Sequence, residues 1–265
     1  MKILTLMLLI SSLLFSKVYY SKIEPYEVRN ISSNVSGQVE FINEDMIGKK
    51  LSSKAYIRID SELDIKELNY IKDKLVYLKD TVVANESILI NLKKSLDKKR
   101  ENYRQIENLK IKSRVEKDRE FYDLVSSENL YLGTQKEINS LKIQITDLKL
   151  REAQLTRSVK DKKLSAKGFV LYSIDVKVGQ VVGMSTPLAQ IADISKAKLT
   201  IFLDESDVIG AKNRAIIING QKTDYKISRI LNIADSKNIS KYMAQIIIKS
   251  PKIFSKLAKI ELEEK

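Results

Sequence analysis

The side chains able to do chemistry in this sequence are carboxylates, lysines and tyrosines. The chain has 265 residues and holds no His and no Cys. The commonest general base and metal ligand is therefore missing, and zinc sites assembled from His and Cys are excluded. Neither a thiolate nucleophile nor a disulfide framework can form. Asp204, Glu205 and Asp207 cluster in sequence, as a cation site would need, but a solvated acidic loop is the simpler reading. The chain contains no G-x-x-x-x-G-K-[ST] and no G-x-G-x-x-G phosphate loop. These observations point away from an enzyme: no catalytic, metal or cofactor-binding residue is assigned, and no cofactor is expected. A second spaced group is Ser113 with Glu116 three residues on, the reciprocal capping arrangement that starts a helix.

The net charge of +13 could serve nucleic acid or anionic lipid. The lysines are spread along the chain rather than gathered in one stripe, which reads as wet helix faces. Nucleic acid is not an expected partner.

Several elements would position these groups. Lys2 followed by an apolar run from Ile3 to Phe15 has the layout of an export signal, with a cut after Ser16; an uncleaved anchor is the alternative. Residues 61–163 then contain one glycine, Gly133, and no proline. Leu68, Ile71, Leu75, Leu78, Val82, Asn85, Leu89, Leu92, Leu96, Lys99, Tyr103 and Ile106 recur at alternating spacings of three and four. That is the seam of a coiled coil, with Asn85 and Lys99 as polar interruptions. A second seam uses Leu124, Tyr131, Ile138, Ile145, Glu152 and Val159, with Leu141, Leu148 and Leu155 at its partner position. The break between the seams predicts a turn near 110–113, and an antiparallel hairpin with arms of roughly 75 Å.

Folding back brings the hairpin's flanks together. Residues 32–60 and 164–192 each read as short β runs punctuated by Gly37 and Gly48 in the first, and by Gly168, Gly179 and Gly183 in the second. Neither flank is long enough to bury a core alone, so the two are expected to complete one small sandwich. Residues 17–31 read as a strand joining a final β-barrel over 193–265, with Asn219-Gly220 as a hairpin turn.

Signal, S-G-Q-V from Ser36, long hairpin, G-F-V from Gly168, V-G-Q-V-V-G-M-S-T-P-L from Val178 and L-D-E-S-D-V from Leu203 follow in order. This arrangement resembles the HlyD-like membrane fusion proteins, the periplasmic adaptors of tripartite efflux and secretion systems. The resemblance implies an elongated α+β fold: a split lipoyl-like barrel-sandwich hybrid, an inserted antiparallel coiled-coil hairpin and a small C-terminal β-barrel. It also implies an inner-membrane transporter (RND or ABC type) and an outer-membrane, TolC-like channel as partners, and a homo-oligomeric ring. The implied location is the Gram-negative periplasm, with the inner membrane reached through partners. The family's tip pattern, R-x-x-x-L-x-x-x-x-x-x-S followed by x-x-E-x-D, maps onto Ile106, Ser113, Glu116 and Asp118. Asn102 stands at the Arg position. The resemblance thus assigns channel docking to Ile106, Lys110, Ser113, Arg114 and Glu116. A structural coiled-coil tether without a transport role is the alternative.

Overall fold

The structure is a computed structural model that describes residues 17–234, 238 and 240–263. The export signal and its cut after Ser16 lie outside the described residues, as do the last two residues assigned to the barrel. The described residues divide into two compact units, residues 59–164 and the segments that precede and follow them in sequence.

The first unit is the helical hairpin. Helix α1 (Glu62–Glu107) has 46 residues and α2 (Arg114–Asp161) has 48, which at 1.5 Å per residue makes each about 70 Å long. Every α1 seam position from Leu68 to Ile106 is buried or half-buried. Ile71, Leu75 and Leu155 pack together with Leu68, Ile145 and Leu148 around them. Register is marked by cross-helix pairs: Arg151 with Glu67, Lys142 with Glu86, and Arg100 with Glu128. These are exposed pairs, each worth about 0–1 kcal/mol, so they select the register more than they stabilise it.

The base of the hairpin is more enclosed. Lys162, 8% exposed, places its ammonium 2.9 Å from the Asp64 carboxylate, to which Ser158 also donates. Burial alone would raise the Asp64 carboxyl, but Lys162 and Ser158 outweigh it and hold it below its ordinary value. At the start of α1 the Asp60 carboxylate accepts from Glu62 N at 2.9 Å, a role that Ser61 leaves unfilled.

The second unit is mostly β, with one short helical turn at Glu205–Val208 and 3-10 turns at Glu44–Met46 and Ala211–Asn213. The strands of the chain are β1 (Lys17–Lys22), β2 (Glu24–Ser32), β3 (Gly37–Ile42), β4 (Ile57–Ile59), β5 (Lys163–Leu164, which belongs to the hairpin unit), β6 (Val170–Ile174), β7 (Val181–Val182), β8 (Pro187–Asp204), β9 (Ala215–Ile218), β10 (Gln221–Thr223), β11 (Ile227–Ala234), β12 (Lys241–Lys249) and β13 (Leu257–Glu263). One sheet runs β1-β13-β9-β10 and another β11-β12-β8-β2, with β6 also on β8. These sheets close on a core of Tyr19, Leu199, Ile201, Leu203, Ile216, Ile246, Ile260 and Leu262. Alternation of apolar residues along β8 and β13 fills that core from one face of each strand.

The lipoyl-like part is stitched from both flanks of the hairpin. Val39 N donates to Gln180 O, Leu51 N to Phe169 O, Gly48 N to Leu171 O and Ser33 N to Thr186 O. Val39, Leu51, Ile57, Leu171, Val182 and Leu188 are buried within it. The Arg29 guanidinium of β2 stacks on the Phe169 ring of the second flank at 4.6 Å.

Three details differ from the sequence reading. The strand expected over 17–31 is two strands broken at Ile23, whose N–H and C=O turn aside to Lys256 O and Ser255 N. β1 then pairs β13 in the barrel, whereas β2 pairs the first part of β8. The boundary expected at 192/193 falls inside β8, an unbroken strand of 18 residues that serves both parts. Residues 49–51, within the short β runs expected around Gly48, form no regular strand: they meet residues 168–171 through Leu171 N to Lys49 O, Leu51 N to Phe169 O and Gly168 N to Leu51 O, with one isolated bridge, Lys50 with Val170.

Candidate functional site: the hairpin tip

The chain reverses over residues 108–113. Helix α1 ends at Glu107, and Lys117 from α2 reaches back to the Glu107 carbonyl at 2.8 Å, satisfying one of the acceptors a helix end leaves open. Ser113 is the N-cap of α2. Its hydroxyl accepts from Glu116 N and donates to Glu116 Oε2, while Ser113 N donates to Glu116 Oε2 at 2.9 Å. Both halves of the reciprocal capping arrangement are present. The backbone bond from Ser113, with Lys112 and the Ser113 hydroxyl, lowers the Glu116 carboxyl to about 2.

The five residues assigned to docking therefore have separate fates. Ser113 and Glu116 satisfy each other. Ile106 is half-buried in the seam below the tip. Lys110 and Arg114 are exposed, with Arg114 loosely placed 3.9 Å from Asp118. The outermost apolar groups are ones the sequence pattern did not single out: Leu109, Ile111 and Val115, of which Ile111 is 93% exposed. Below them Tyr103 and Phe121 meet at 5.8 Å and close the end of the seam.

The glycines sit in the turns of the lipoyl-like part. Gly48 and Gly168 take left-handed backbone with open space around a would-be Cβ. Gly179, also left-handed, brings its carbonyl to the Gln38 amide at 3.0 Å. Gly37 opens β3 opposite Val182. Gly183 differs from the others: the left-handed residue of its turn is Ser185, with φ 67, and Gly183 N instead donates to Thr186 Oγ1.

The acidic cluster is neutralised from a distance in sequence. Lys17 bonds both Asp204 and Asp207, Tyr19 donates to Asp207 at 2.6 Å, Arg214 stands 3.5 Å from Asp207, and Lys241 lies 3.7 Å from Asp204. Burial and the neighbouring Asp207 push the Tyr19 phenol well above its ordinary value. Among the described residues no group of acidic side chains is arranged to hold a metal ion. The cluster ties β1 to the end of β8.

Solved structures share this architecture. MacA from Actinobacillus actinomycetemcomitans is similar with a TM-score of 0.67 at 19% identity, over 94% of this chain and 79% of that one. The membrane fusion protein Spr0693 from Streptococcus pneumoniae R6 is similar with a TM-score of 0.60 at 11% identity, over 94% of this chain and 100% of that one. A MacA-MexA chimera carrying the Pseudomonas aeruginosa MexA α-hairpin domain gives 0.55 at 15% identity, over 95% and 83%. The chain has the membrane fusion protein fold. No family model matches the sequence, and no curated protein matches it. Among the described residues, no helix of this membrane fusion protein fold is long and apolar enough to cross a membrane.

Proposed function

We propose that the protein is an envelope adaptor of the HlyD-like kind, joining an inner-membrane transporter to an outer-membrane channel for efflux or secretion. The observation that carries this reading is the architecture: a long hairpin inserted into a split lipoyl-like sandwich, followed by a small barrel. A hairpin of about 70 Å is far longer than a core needs and suits a spacer. The work proposed is interfacial, with energy supplied by the transporter, so the reading calls for no catalytic group. The hairpin tip would meet the channel, the β unit would meet the transporter, and several copies would assemble in a ring in the periplasm.

The test is affinity purification of the tagged full-length chain from crosslinked envelope membranes. Recovery of a transporter together with an outer-membrane channel supports the adaptor. Recovery of neither transfers the case to a structural tether.

A further inference from the structure

We propose that the tip engages its partner through an apolar knob, Ile111 with Leu109 and Val115, set in a collar of Lys110 and Arg114. The partner surface it fits is a protein socket with an apolar floor and a carboxylate rim. This inference rests on the adaptor reading and names the residues that would make its channel contact.

Single exposed hydrophobic residues are ordinary on any surface. Here three fall within seven positions at the point where the chain reverses, a place usually given to polar turn residues. Ile111 is 93% exposed and Val115 77%, so neither stabilises the hairpin that carries them. Of the residues expected to dock, Ser113 and Glu116 are occupied in capping α2 and Ile106 faces the seam, which leaves the exposed Lys110 and Arg114. What the tip offers a partner is therefore apolar at its centre.

Charge decides the class of partner. Residues 108–115 hold Lys110, Lys112 and Arg114 and no carboxylate. Lys112 is held by Glu116 at 3.0 Å, whereas the Arg114 side chain is 95% exposed. An anionic membrane is read by clusters of about four to eight cations. Over 107–118 four cations face three carboxylates, Glu107, Glu116 and Asp118, which is too little net charge for such a surface. A small apolar group ringed by one or two cations fits a pocket of the kind in which interface energy concentrates, its rim complementary in charge.

The test places a photo-reactive phenylalanine analogue in the full chain in living cells, at position 111, 119 or 98 in turn, and maps the crosslinked peptides. The expected result is an outer-membrane channel captured from 111 and 119 but not from 98 on the shaft. The channel peptide should carry apolar residues beside Asp or Glu. Ile111→Ser should cut the yield from 119 at least tenfold with helix content unchanged, and Ile111→Leu should preserve it. Capture from 119 that is indifferent to Ile111→Ser overturns the knob while the adaptor stands. Capture of no channel from any position removes both. Lipid alone, or a second copy of this chain, at position 111 overturns the knob.

Discussion

Ser113 and Glu116 show how one local motif fixes the end of a long element. Replacing Ser113 by Ala removes the acceptor for Glu116 N and is expected to cost about 1 kcal/mol, read as a lower unfolding midpoint of the hairpin. Glu116 adds a pH signature. Its folded value, about 2, lies below the ordinary 4.5. Its contribution is therefore full above pH 4.5 and is lost as pH falls through about 2. Carboxyl NMR of Glu116 should follow that curve, with amide exchange at 113–117 accelerating only at the acid end; a titration near 4.5 would show that the cap is open in solution. The capping spacing was legible in the sequence because both partners are local. Ile111 was not, since an exposed apolar residue in a turn belongs to no periodic pattern. The cations on Asp204 and Asp207 were not either, because Lys17 lies 187 positions from Asp204 and reaches it only through β1 pairing.

At the scale of elements, periodicity did most of the work. The α1 seam of alternating threes and fours faces inward throughout its length, because a buried stripe is what such spacing encodes. The α2 seam extends further than its apolar members suggest. Ser127, 7% exposed, and half-buried Thr134 continue the line of Leu141, Leu148 and Leu155. Hydroxyl side chains there escape an apolar template. Asn85 sits in the seam with its Nδ2 buried and without a hydrogen-bond partner. Such a donor costs about 1–3 kcal/mol. Asn85→Leu should raise the thermal midpoint while loosening the choice of register, and a lower midpoint would show that the amide is satisfied in solution. Gly133 tests the same helix differently. Nothing lies within 4 Å of a Cβ added there, so Gly133→Ala should stabilise the hairpin by about 1 kcal/mol, measured by chemical denaturation.

At the scale of the molecule, the order of parts was readable because an antiparallel hairpin obliges its flanks to meet. Leu171 is where they do: it is fully buried, and its backbone bonds Gly48 and Lys49 across the two flanks. Leu171→Ala should cost about 2–5 kcal/mol, seen as a lower denaturant midpoint of the β unit. The sharing of β8 was not readable. Composition changes little across 192/193, and the strand continues because β2 and β6 hold its beginning and β12 its end.

That shared strand has a mechanical consequence. Barrel and sandwich have no flexible linker at β8; they are joined by a beam of 18 residues. A load entering at the Asp204 end and leaving at the Pro187 end runs along the covalent backbone of one strand that is already extended and has little slack to give, so it passes between the two parts without opening the ladders to β2 and β12. Pulled from those two ends, β8 should show almost no extension, and the barrel should tilt only if it carries the sandwich with it.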